Sequence, residues 1–358
     1  MTDNDDLKSA ARKLNAEAPR IRRPEEWPSR RDFLKKAGVT AGVIGGAGYL
    51  WLAPHNWPLG LRDETGDAGK PGERTVRLKD FRVEPPSNAG VLGIARGENY
   101  AAMLKMAITA IGGIEHYIRK GDVVLIKPNV AFDRAPKLGA TTNPDVLAAL
   151  IRLVREAGAA EVRVADNPIE SPESCFQKTG IRDAAAAAGA ELYLPSPSSF
   201  EMLEVPGAKL ISRWPFFYRP FHNVTKVIGV APIKDHNLCF ASMTTKNWYG
   251  LLGGRRNQFH QDIHNIVADL ALMMRPTFVI LDASRILVKN GPTGGDLSDV
   301  VPGKTLVAAT DQITADSYGY AKLLNRSSDI PAYLNNAHQR GLGNPDWRSV
   351  AIREEQVG

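Results

Sequence analysis

Asp122-Val123-Val124-Leu125-Ile126-Lys127-Pro128-Asn129 is the stretch on which the fold turns. Its apolar run is unbroken rather than alternating, the pattern of a strand buried on both faces, as in a parallel sheet covered by helices. It ends abruptly in Lys127 and Asn129, polar groups at a strand's carboxyl end. Working outward, Val91 to Ala95 reads as a short strand and Asn99 to Ile118 as a helix. Downstream, Asn143 and Pro144 suit the N-cap and first turn of a helix that Gly158 stops. Strand-like runs follow at 161–166, 191–194, 226–232, 277–282 and 305–310, with helical runs at 181–188, 260–274 and 311–324. This alternation predicts an α/β fold with mostly parallel strands and helices on both faces, leaving open two intertwined Rossmann-like subdomains. The stretch 195–223, with five prolines, reads as a β-rich insert.

The chain has 358 residues, 43% hydrophobic and 23% charged, enough for a sizeable core. Its formal net charge is +6, but the first 54 residues hold ten Lys/Arg against seven Asp/Glu, leaving +3 on the rest. No basic stripe appears, so nucleic acid is not the expected partner, while small anionic ligands are compatible. Cys175 and Cys239 are too few to ligate an iron–sulfur cluster, so none is expected in this chain.

Three regions are expected: 1–54 as a targeting segment, 55–89 as a Pro-, Gly- and charge-rich linker or surface arm, and 90–358 as the α/β part. Ser29-Arg30-Arg31-Asp32-Phe33-Leu34-Lys35 resembles the twin-arginine export signal, and the glycine-rich apolar run Ala37 to Ala53 follows it. The resemblance implies the twin-arginine translocase as partner and a periplasmic or extracytoplasmic location. Leu50-Trp51-Leu52-Ala53-Pro54 is a poor cleavage site, so the segment can persist as an inner-membrane anchor. That route carries folded proteins, often with a cofactor already bound.

Polar residues recur at the expected strand ends: Lys127 and Asn129, Asp166 and Asn167, Lys234 and His236, Asp282, Asp311. In open α/β sheets ligands bind there. The densest polar stretch, Lys234 to His264, holds His236, His260 and His264, Lys234 and Lys246, and Gly250, Gly253 and Gly254. Lys234, His236 and Lys246 are the candidate catalytic residues, as a histidine beside a lysine can move a proton or polarise a carbonyl. Lys127, Asn129, Asn247, Gly294 and Gly295 are candidates for holding a ligand or cofactor. Arg255 and Arg256 are further candidates for an anion. His260 and His264, four apart in an expected helix, share one face; with His236 and Asp282 they are candidate ligands of a divalent metal. Neither a dinucleotide fingerprint nor a P-loop is present.

The ordered set I-K-P-N at 126–129, T-N-P at 142–144, K-x-H at 234–236, K-N-x-x-G at 246–250, H-x-x-x-H at 260–264, the aspartate at 282 and G-P-T-G-G at 291–295 resembles the family named for domain of unknown function 362. Members often carry a twin-arginine signal, and some carry a ferredoxin-like module whose cysteines have no counterpart here. The layout is also similar to two-domain α/β enzymes such as the nickel-pincer lactate racemases. The expected function is a metal- or cofactor-assisted enzyme, of redox or isomerase/hydrolase type, acting on a small anionic substrate. The alternative is a non-catalytic ligand- or metal-binding protein, or an accessory subunit of a membrane-associated redox complex.

Overall fold

The computed structural model describes residues 72–326 and 330–357. The twin-arginine-like motif, the apolar run after it and the first part of the expected linker lie outside the described residues.

The centre is a nine-stranded sheet of β2 (Leu92–Arg96), β3 (Val123–Lys127), β4 (Glu161–Ala165), β5 (Glu191–Tyr193), β8 (Lys226–His236), β9 (Phe240–Ser242), β10 (Phe278–Leu287), β11 (Val300–Ala309) and β12 (Ile352–Gln356). Its order is β12-β2-β11-β10-β8-β3-β4-β5, with β9 folded back antiparallel on β8. β3, β4, β5, β8 and β10 run parallel, as does the β2–β12 pair, whereas β11 is antiparallel to both neighbours. The two Rossmann-like halves left open by the sequence therefore share one continuous sheet. A three-stranded sheet of β1 (Gly72–Val76), β6 (Phe200–Glu204) and β7 (Arg213–Phe217) packs beside it.

The unbroken apolar strands are explained by two cores. In β3, Val124 and Ile126 point to one face and Leu125 to the other, and all three are fully buried. The first face is covered by α1 (Tyr100–Ala110), α3 (Pro144–Glu156) and α5 (Ile181–Ala188), through Leu104, Ile108, Leu150, Val154 and Ile181. The second is covered by α7 (Ile263–Met273), α8 (Gln312–Tyr318) and α9 (Ala332–Gln339), through Ile266, Leu270, Ile313 and Leu334. Asn143 caps α3 by accepting from the Asp145 amide at 3.1 Å, with Pro144 in the first turn. The helix expected from Asn99 to Ile118 is instead α1 and a short α2 (Ile114–Tyr117). Gly112 and Gly113, both at positive φ, separate them.

Chain order places the functional edge. From β3 the chain moves outward to β4 and β5; it then returns to β8 beside β3 and moves the other way, to β10 and β11. Helices leaving β3 and β8 thus cover opposite faces, the topology that places a ligand crevice outside the carboxyl ends of these two strands. Among the described residues no helix is long and apolar enough to cross a membrane.

Candidate functional site

Lys127 and Asn129 follow from β3, Lys234 and His236 end β8, and Lys246 and Asn247 sit on α6 (Thr244–Asn247), a one-turn helix laid across the crevice. Lys127 Nζ lies 2.8 Å from Asp166 Oδ1 at the end of β4, with both side chains 1% exposed. The same ammonium donates to Asn247 Oδ1 at 2.8 Å, and Asn129 Nδ2 donates to that oxygen at 3.2 Å. Asn247 Nδ2 bonds Lys127 O and Val230 O, so one amide brackets β3 to β8 and fixes α6 against both. Lys234 Nζ donates to Ala140 O at 2.7 Å and Asn129 Oδ1 at 3.3 Å. Trp248, just past α6, packs against β8 because Gly229 leaves room; a Cβ there would stand 2.7 Å from its ring.

Three lysines converge here, and among the described residues Asp166 is the one carboxylate in the hydrogen-bonded network. Burial pushes the Lys127 ammonium down to about 8, against the pull of Asp166. Burial, and then repulsion from Lys246 and Lys127, holds Lys234 well below the ordinary lysine value, so its amine is neutral far more readily than a surface lysine's. Lys246 is lowered too, chiefly by burial. It is half-buried, sits 5.3 Å over the Tyr249 ring and has no hydrogen-bond acceptor among the described residues. The His236 ring is pushed down to about 2 by burial and by Lys246, Lys234 and His260, so it is neutral. Its Nδ1 accepts from the Leu238 and Cys239 amides at 3.1 and 3.4 Å, which leaves the proton on Nε2.

Several expected roles change. Arg256 does not offer its guanidinium to a ligand. Its nitrogens donate to the carbonyls of Tyr249, Leu252, Asn167 and Pro168 at 2.8–3.2 Å, locking the loop after α6 to the end of β4. Arg255 is exposed. The shared face expected for His260 and His264 does not form, because His260 lies in a 3₁₀ turn (Arg256–Asp262) and only His264 is in α7. His260 Nδ1 lies 3.0 Å from Asn257 O, whereas the His264 ring is packed between Phe240 and Tyr333. Asp282 is committed elsewhere: its oxygens accept from the Asn143 and Ser284 amides at 2.9 and 3.0 Å, tethering the start of α3. Among the described residues no three His, Cys, Asp or Glu side chains come together as a metal-binding group. His236, His260, His264 and Asp282 are therefore not one ligand set, and the Nδ1 lone pair of His236 is already used. Gly294 and Gly295 lie in the loop after β10, where Gly294 faces Leu287 and Leu138. Cys175 and Cys239 are free and buried; burial raises the Cys239 thiol to about 11, which leaves it un-ionised.

Two residues of the site take roles that the sequence did not assign to them. Asp166 carries a strand-end signal but only its pairing with Lys127 gives it a role. Gly250 is required by contact, since a Cβ would stand 2.1 Å from Asp166 Oδ1 and 2.9 Å from Lys127 Nζ.

The sequence pattern of the family described as domain of unknown function (DUF362) matches residues 124–321, from β3 to just beyond α8. A thylakoid-associated protein of Synechocystis sp. is 24% identical over 244 residues, covering 63% of this chain and 71% of that protein. Among solved structures, the lactate racemase apoprotein of Thermoanaerobacterium thermosaccharolyticum aligns over 66% of this chain at 12% identity and a TM-score of 0.38. A protein of Thermotoga maritima aligns over 58% at 12% identity and 0.32. The chain spans 57% and 54% of those two proteins, and likeness of that order carries no functional argument. The matched pattern spans more than half of the chain and contains the whole lysine-lined crevice, so the chain belongs to the DUF362 family.

Proposed function

We propose that the crevice between β3 and β8 binds a small oxyacid and moves a proton on it, the chemistry of an isomerase or of the proton-transfer half of a redox enzyme. The observation that carries this reading is the cluster of Lys127, Lys234 and Lys246 around the single carboxylate of Asp166, with the Lys246 ammonium lacking an acceptor. With Lys127 paired to Asp166 and Lys234 neutral, the half-buried Lys246 ammonium is the charge of the cluster left without a counter-ion among the described residues, and an anion supplies it. Lys246 and the Nε2–H of His236 are the donors for that anion. Lys234 is the base: as a neutral amine it keeps two N–H bonds, to Ala140 O and Asn129 Oδ1, and has its lone pair free. A divalent metal would find an open nitrogen on His260 and would need its other ligands from substrate or cofactor.

Thermal-shift and calorimetric titration with short carboxylates and inorganic oxyanions tests binding. Incubation of a bound oxyacid in deuterium oxide, followed by NMR, tests proton transfer, which Lys234→Met abolishes while leaving binding. Indifference to every anion in the panel refutes the reading. Export by the twin-arginine route, to an extracytoplasmic site, is part of the same proposal and rests on the motif at 29–35. Replacing Arg30 and Arg31 by lysine and fractionating the cells checks it.

A further inference from the structure

The one-turn helix α6 carries Lys246 and Asn247, yet it has no N-cap of its own, since Met243 occupies that position and makes no side-chain bond. Its first donors are taken by a distant residue. Asp316, fully buried on α8, accepts from the Thr244 amide at 2.8 Å and the Thr244 hydroxyl at 2.5 Å on Oδ1. On Oδ2 it accepts from the Thr245 amide and the Tyr333 hydroxyl, both at 3.1 Å. Four donors on two oxygens fill the carboxylate with hydrogen bonds, and no lysine, arginine or histidine among the described residues pairs with it. The titratable groups facing this cluster are Tyr333 from α9, Cys239 from the β8–β9 turn, Tyr320 from the turn after α8 and, stacked on Tyr333, His264 from α7, which burial lowers.

We infer that Asp316 is the positioning residue of the lysine crevice: its ionised carboxylate caps the first turn of α6, and its protonation loosens that turn and shifts Lys246 from the ligand while Asn247 stays bonded to β3 and β8. This inference rests on the anion-binding reading of the crevice and adds its regulation. A protonated Asp316 must give its proton to one of the two hydroxyls now aimed at it, such as that of Thr244, which can turn its own proton to Gln312 O. It also loses the charge that strengthens its bonds to the Thr244 and Thr245 amides, so the cap weakens. Burial lifts this carboxyl to about 6, in spite of the four bonds, which places the change between neutral and mildly acidic pH. The sign is diagnostic. Acid ordinarily strengthens anion binding at a lysine cluster by completing its protonation. Loss of the α6 cap weakens it, by about tenfold at pH 5 if only the ionised form binds.

The test uses sulfate and pyruvate, whose charges do not change over this range, titrated into the full chain at pH 7.5 and 5.0. In parallel, hydrogen exchange of the 243–250 segment is measured and corrected for intrinsic rates. The expected result is about tenfold weaker binding at pH 5.0 together with faster exchange in that segment. In Asp316→Asn both readouts stay at the acid-like level at either pH. Exchange in 243–250 that does not respond to pH in the wild-type chain overturns the inference, whether or not the variant folds. Binding that tightens steadily with acid overturns it too. If the exchange switch appears but neither anion binds at either pH, the hold of Asp316 on α6 stands and the anion-binding reading falls.

Discussion

Replacing Lys127 by methionine tests the centre of the site. The substitution removes an ammonium 2.8 Å from Asp166 Oδ1 in a place where both side chains are 1% exposed. Asp166 would keep two donors, the Val130 amide at 2.7 Å and the Asn167 amide at 2.9 Å, but no counter-charge in contact. Asn247 would lose its strongest donor as well. Removing one partner of a buried pair costs about 3–5 kcal/mol. Urea unfolding followed by circular dichroism should show that loss, with a midpoint in heat lowered by roughly 6–15 °C. The double variant Lys127→Met, Asp166→Asn tests the cause, because it leaves no uncompensated charge and recovers most of the stability. A single variant within about 1 kcal/mol of the wild type would falsify the claim that the pair is dry and mutually dependent.

Other outcomes follow from the same geometry. The Lys127 ammonium holds its proton less tightly in the fold, where its value is about 8, than in the unfolded chain. The unfolded chain therefore binds more protons above that value, so Lys127 contributes stability that rises with pH from about 8 towards 10, by about 3 kcal/mol. The lowered Lys234 and Lys246 act in the same direction and the raised Cys175 and Cys239 thiols against it. Tyr249 and Tyr333, whose hydroxyls burial raises, reverse the trend at higher pH; urea midpoints across this range that fall steadily would contradict the assignment. Gly250→Ala should cost several kcal/mol, because its Cβ would stand 2.1 Å from Asp166 Oδ1, and a neutral effect in thermal unfolding would show that the ion pair can shift aside. Lys246→Met should weaken sulfate binding about 10–100-fold in calorimetry while changing stability by under about 1 kcal/mol, as the ammonium has no hydrogen-bond acceptor to orphan. Arg256→Lys should destabilise by about 2–4 kcal/mol, since an ammonium cannot reach the four carbonyls that the fork spans; unchanged unfolding would refute its structural role.

Much of the architecture was legible because burial on both faces writes itself into a strand as an unbroken apolar run. Val124, Leu125 and Ile126 must all be apolar when helices cover both sides of β3, and Asn143-Pro144 announces the start of α3 through local chemistry alone. The same local logic places Lys127, Asn129, Lys234 and His236 at strand ends, and Lys127, Asn129 and Lys234 share one hydrogen-bonded network with Asn247 of α6. Local pattern misled where a long-range partner intervened. The spacing of His260 and His264 promised a shared helical face, but a 3₁₀ turn separates them and their rings contact different neighbours. Arg256 looked like an anion donor until the fold surrounded it with carbonyls. Asp282 looked like a ligand until the Asn143 amide at the start of α3 took one of its oxygens and the Ser284 amide of its own strand the other. Asp166 and Asp316 gained their roles only from partners 39 and 72 positions away. Sequence periodicity records which face of an element is buried, because burial repeats along that element. It does not record which charge faces which, because that depends on the order in which strands enter the sheet. Here the return of β8 to the side of β3 made a crevice of residues more than a hundred positions apart.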